Sequence, residues 1–135
     1  MPDPFLDTNI LLRHLMGDDP MQSPRARAVL ARVERGELEV HTADTVVFET
    51  VYTLQRTYRL GKAAIRDQLL PILDMPGVIL PGKRYFHRVF EIFVEANISF
   101  ADAYHVVLME RLGLNEIISF DREFDRVAGI TRIEP

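Results

Sequence analysis

Short apolar segments alternate with amphipathic helical stretches along this chain. That alternation predicts an α/β protein, a three-layer α/β/α sandwich with a mostly parallel central sheet. Two more observations agree with it. Cap and turn residues punctuate nearly every transition, and 47% of the 135 residues are hydrophobic, with no repeat, low-complexity tract or linker-like stretch. One domain spanning residues 1–135 is expected, since this length supports a real core and is too short for two.

The elements follow in order. Pro4-Phe5-Leu6 is a very short strand candidate leading into Asp7, and residues 9–16 read as a helix stopped by Gly17. Ser23-Pro24 gives an N-cap followed by proline at the first helical position. Ala26, Val29, Leu30 and Val33 then recur at helical spacing, and Gly36 is the stop. Residues 38–41 form a second strand candidate. Asp44 or Thr45 is placed to cap a helix carrying Val47, Val51, Leu54 and Tyr58 on one face, with Glu49 off that stripe. A helix from Lys62 towards Asp74 should kink at Pro71. Val78-Ile79-Leu80 is a third strand between Pro-Gly pairs, and Phe86, Val89, Phe90, Phe93 and Ala96 mark the helix after it. Ser99 and Asp102 stand at capping-box spacing before a helix ending at Gly113. Residues 116–120 make a fourth strand, 121–127 a short helix, and 130–133 a last strand.

Composition sets further bounds. No apolar run approaches the roughly 20 residues of a membrane span, and no membrane association is expected. The first strand candidate lies close to Met1, so a signal peptide is not expected either. The absence of cysteine excludes disulfides and thiolate metal sites, and points to the cytoplasm. A net charge of -4 argues against holding nucleic acid by bulk electrostatics. A nuclease stays possible, because a metal would neutralise part of that charge. Local clusters such as Arg25 with Arg27, Arg56 with Arg59, and Lys83-Arg84 with His87 and Arg88 fit either solvated helix faces or phosphate contacts.

Four acids stand where an apolar segment meets a helix or turn: Asp7, Glu49, Asp102 and Asp121. In open parallel sheets, sites form outside the carboxyl ends of the strands. Asp7 and Asp121 both follow strand candidates, Asp102 opens a helix, and Glu49 reaches the same edge if its helix packs across the sheet. Two unit charges roughly 4 Å apart cost about 4 kcal/mol at an effective dielectric of 20. A hard cation such as magnesium relieves that repulsion through oxygen ligands. Each acid also admits a local role: Asp7 and Asp121 as N-caps, Asp102 as the acidic arm of a capping box, Glu49 as a solvated helix residue.

The wording around these acids resembles a known family. Asp7-Thr8-Asn9-Ile10-Leu11-Leu12-Arg13 is similar to the opening motif of PIN-domain nucleases, especially VapC-type toxins. Ser99-Phe100-Ala101-Asp102-Ala103 resembles their third motif, and Ser119-Phe120-Asp121-Arg122-Glu123-Phe124-Asp125 their last. Glu49 fits the order of their second acid. Two departures touch none of the four acids. Phe120 is apolar where many relatives are polar, and Glu123 stands where some carry a further aspartate, so no fifth acidic contribution is assigned. Asp125 is expected to contact the local turn or Arg122.

The resemblance implies a magnesium-dependent endoribonuclease, with manganese as an alternative ion, in which metal lowers the pKa of a bound water and neutralises charge at the scissile phosphodiester. Asp7 and Asp102 would be the most direct metal ligands, Glu49 and Asp121 would complete the shell or orient water, and all four would be catalytic. Thr8 and Ser119 would contact water or phosphate, or cap helices. The implied partners are an RNA substrate, a cognate VapB-type antitoxin that inserts a cationic side chain near Asp7 and Asp102, and a second copy in a homodimer.

Other readings compete. An aspartyl-phosphate phosphatase would need an aspartate two places after Asp7, where Asn9 stands. A non-catalytic binding module would be marked by an eroded acid set, and a housekeeping RNA-processing enzyme would keep the same site. His105, three residues after Asp102, has ligand spacing that a hard oxygen site does not need. His14, His41 and His87 show no partner pattern. Phe86, Phe90 and Phe93 read as core, and Gly77 and Gly82 as turns.

Overall fold

The structure, a computed structural model, describes residues 2–135. The chain divides into two compact units, Met1–Arg84 and Tyr85–Pro135.

In the first unit, residues 4–6 lie parallel to β1 (Val40–His41), joined by a bridge between Phe5 and His41. The His41 N–H donates to the Pro4 carbonyl at 2.9 Å, and the Leu6 N–H to the His41 carbonyl at 2.7 Å. On its other side β1 pairs in parallel with β2 (Val78–Ile79), Val40 opposite Val78. All three segments run the same way, so Asp7, Thr42 and Leu80 leave at one carboxyl edge. The Thr42 hydroxyl, buried there, donates to the Leu6 carbonyl at 3.1 Å.

Helices α1 (Thr8–Met16), α2 (Gln22–Glu34), α3 (Asp44–Arg56) and α4 (Lys62–Leu73) complete this unit. Gly17 takes a left-handed φ of 61° and its N–H closes α1 on the Arg13 carbonyl. The start of α2 differs from the Ser-Pro expectation. Asp19 provides the cap, accepting from the N–H groups of Met21 and Gln22 at 2.9 and 2.8 Å. Ser23, already inside the helix and buried, accepts from the Asp19 N–H instead. An aspartate three residues upstream reaches two orphan donors, and Pro24 still falls in the first turn, where a missing N–H costs nothing. Pro71 lies in the last turn of α4, and the helix runs on through it to Leu73.

The core of this unit is aliphatic, with Leu11, Leu30, Val47, Val51, Leu54, Ile65 and Leu69 fully buried or nearly so. Gly77 shows how close the packing is. A Cβ there would stand 2.9 Å from Val33 Cγ1 and 3.0 Å from the Leu38 carbonyl.

The second unit holds α5 (Phe86–Glu95), α6 (Phe100–Leu112), β3 (Glu116–Ile118), a 3₁₀ turn (Arg122–Arg126) and β4 (Thr131–Ile133). Phe86, Phe90, Phe93 and Phe100 pack as rings, with centroids 5.0 Å apart for Phe90–Phe100 and 5.2 Å for Phe93–Phe100. They are core, as their spacing predicts. β3 and β4 pair in parallel from Glu116–Thr131 to Ile118–Ile133. Asp125 differs from its expected role: it clamps Arg132 of β4, Oδ1 to Nε at 3.1 Å and Oδ2 to Nη2 at 3.3 Å. That matched fork outcompetes a turn contact or a pair with Arg122.

The chain is therefore helix-rich with parallel strands, as the alternation predicts. Each strand is shorter than the segment expected from sequence, and a helix or turn begins within a few residues of its end, as after Leu6, His41 and Ile118. Among the described residues no helix is long and apolar enough to cross a membrane.

Candidate acidic site

The first unit positions Asp7, Thr8 and Glu49. Asp7 occupies the N-cap of α1 with extended backbone, φ -92° and ψ 163°, yet its side chain makes no capping hydrogen bond. The cap role open to it from sequence is therefore not the one it takes, and its carboxylate stays exposed at the carboxyl edge of the strands. Thr8 is buried, and its hydroxyl donates to Glu49 Oε2 at 3.1 Å. This bond ties α1 to α3 and fixes one oxygen of an exposed carboxylate. Thr8 thus acts on Glu49, a role that its spacing gave no means to foresee.

The second unit positions Asp102, Asp121 and Glu123. Ser99 Oγ accepts from the Asp102 N–H at 3.1 Å, the expected cap of α6, and this places the Asp102 side chain in the first turn. Ser119 Oγ accepts from the Asp121 N–H at 2.9 Å, and Asp121 Oδ1 accepts from the Glu123 N–H at 2.9 Å. These two successive side-chain turns leave the other Asp121 oxygen uncommitted by them and swing Glu123 inward. Asp102, Asp121 and Glu123 each offer a carboxylate oxygen, all within 4.8 Å of one another. Glu123 is the acid that the sequence reading left out. Its signal is its place where some proteins with this last motif carry a further aspartate, and the tight turn is what brings it to Asp121.

The electrostatics match the crowding. Burial raises the pKa of Asp102 above the ordinary aspartate value, and the adjoining Asp121 carboxyl raises it further. A hydrogen bond from the Ser99 side chain and the His105 ring act the other way. His105 itself is exposed, its Nδ1 3.9 Å from Asp102 Oδ1.

Residues 5–130 match the family model described as "PIN domain". The chain belongs to the PIN-domain family. It is also 23% identical over 131 residues to a "VapC ribonuclease" of Aquifex aeolicus (strain VF5), covering 97% of this chain and 96% of that one.

The second-unit cluster of this PIN domain fits a hard divalent cation. Octahedral ligation at about 2.1 Å places ligand oxygens about 3 to 4 Å apart, a spacing small side-chain rotations reach from 4.8 Å or less. The donors are all carboxylate, with no soft ligand to select a different metal.

One consequence concerns stability. A carboxyl group with a raised folded pKa contributes stability that is present below the unfolded pKa, about 3.9, and lost as pH rises through the folded value. At neutral pH the ionised Asp102, half-buried and beside Asp121, therefore costs the metal-free fold stability. Asp102→Asn should raise the Tm of the metal-free protein at pH 7, and saturating magnesium should shrink or reverse the difference, because ion binding stabilises the wild type. A lower Tm for the variant in EDTA would show that the ionised Asp102 is not a cost to the metal-free fold.

Proposed function

We propose that this PIN domain is a metal-dependent endoribonuclease and the toxin of a toxin–antitoxin pair. Asp7, Glu49, Asp102 and Asp121 would act in one catalytic site, joined by Glu123. The fold in that reading is a three-layer α/β/α sandwich with a mostly parallel central sheet. The observation that carries it is the Asp102–Asp121–Glu123 cluster, found in a chain of this family whose relative is named a ribonuclease.

Asp7 and Asp102 would hold the ion most directly, and Asp121 and Glu123 would complete the ligand set. Magnesium, or manganese in its place, supplies acidity to a coordinated water and neutralises charge at the phosphodiester. Glu49, with one oxygen held by Thr8, keeps its other oxygen to accept a proton from the attacking water. Ser119 sets the Asp121 turn and so acts through Asp121.

The inhibitory partner follows from the charge. An acidic pocket is a receptor for arginine, whose planar fork pairs bidentately with carboxylates and keeps its charge. A VapB-type antitoxin would insert an arginine or lysine near Asp7 and Asp102, its tail ordering on docking.

Two measurements test these readings. Asp7→Asn and Asp102→Asn should each cut RNA cleavage to below about 1% of wild type with the fold intact, since residues acting as a unit fail as one. Wild-type cleavage that persists in EDTA excludes a metal-dependent reaction. For the partner, magnesium and the antitoxin's tail peptide should weaken each other's binding by the same factor. Independent binding with cleavage still inhibited would place the partner elsewhere.

A further inference from the structure

Helix α3 carries more than Glu49 on its open face. At about 100° per residue, Thr45, Glu49, Tyr52 and Arg56 fall within a sector of about 60°, while Val46, Val47, Thr50, Val51 and Leu54 are buried on the remainder. Tyr52 is 60% exposed beside the buried positions of the same helix. The Arg56 guanidinium lies over that ring, 5.9 Å from its centroid, which holds the aromatic face and the cation side by side. Arg59 follows at a left-handed φ of 57° just past the helix end. Arg56 and Arg59 form no ion pair with a carboxylate among the described residues.

We infer that Tyr52 and Arg56 form a nucleotide subsite next to the cleavage centre, Tyr52 stacking on an unpaired base and Arg56 meeting the phosphate beside it. This rests on the ribonuclease reading for the role of Glu49, and adds the residues that seat the strand. Along the helix axis, Tyr52 lies about 4.5 Å and Arg56 about 10.5 Å beyond Glu49. That strip accommodates two or three stacked nucleotides at about 3.4 Å each. Charge complementarity selects the occupant. In a chain of net charge -4, an exposed aromatic ring followed by two arginines suits a flexible polyanion with π-faces, the chemistry of single-stranded nucleic acid. Stacking tolerates every base, so the subsite supplies affinity and register more than sequence choice.

The test uses the full chain carrying Asp7→Asn, so that the probe stays intact, and a short fluorescein-labelled oligoadenylate read by anisotropy. Tyr52→Ala should weaken binding about ten-fold, and Tyr52→Phe should restore it to within about two-fold, since the ring and not the hydroxyl stacks. The same oligonucleotide with abasic sugars should bind Tyr52→Ala and its Asp7→Asn parent alike, a readout that a merely structural role of Tyr52 would not move. Arg56→Gln should lower the slope of log affinity against log salt by about 0.7, one single-strand phosphate. Equal loss on intact and abasic probes, or unchanged affinity with an altered oligomeric state, would overturn the subsite, the latter assigning Tyr52 to a contact between copies. Failure is separable from that of the nuclease reading: ring-dependent binding with no cleavage by the wild-type chain sinks the ribonuclease alone, and cleavage with base-independent binding sinks the subsite alone.

Discussion

Carboxylates in contact inside a fold cannot all keep their charge without a proton or a cation among them. Asp102 and Asp121 approach that condition: burial first, and then the adjoining Asp121 carboxyl, make Asp102 hold its proton more tightly than an ordinary aspartate. Nothing in the packing of α6 or the β3–β4 pair requires this conflict. Ser99 alone caps α6, and Phe124 alone anchors the 3₁₀ turn in the core. The proposed cation is what would relieve that conflict.

The local structure keeps these side chains available. Asp7 stands at an N-cap without capping, Asp102 lets Ser99 take the helix donor, and Asp121 commits one oxygen to a backbone N–H. At Asp102 the neighbouring Ser99 does the capping, while Asp121 caps the 3₁₀ turn with one oxygen and keeps the other out of that bond. Thr8 extends the pattern, since its buried hydroxyl is used to aim Glu49. Short strands contribute as well. Ending each strand where a helix or turn begins sets Asp7 and Asp121 at carboxyl edges, where side chains leave the sheet instead of pairing within it.

Much of this was legible from the residues. Helix positions followed from apolar periodicity, as Phe86, Phe90 and Phe93 show, and Ser99-x-x-Asp102 named its own cap. What stayed hidden depended on approach between distant groups or on turn geometry. Asp19 caps α2 because of how the preceding loop folds, which periodicity does not encode. Glu123 joins the cluster only because two side-chain turns wind it inward, and Asp125 turns to Arg132 because parallel pairing of β3 and β4 brings β4 beside it. The partnership of Thr8 with Glu49 spans 41 positions, beyond any local pattern.

The proposal that Asp7 and Asp102 serve one ion is tested most directly by a double-mutant cycle on magnesium affinity. Asp7→Asn, Asp102→Asn and the double variant would be compared with wild type by calorimetry. Ligands of a common ion are strongly non-additive: either single substitution should remove most of the affinity, and the double variant should lose little more. Wild-type affinity in Asp7→Asn, or losses that add within about 0.5 kcal/mol, would mean that the two aspartates do not serve the same metal.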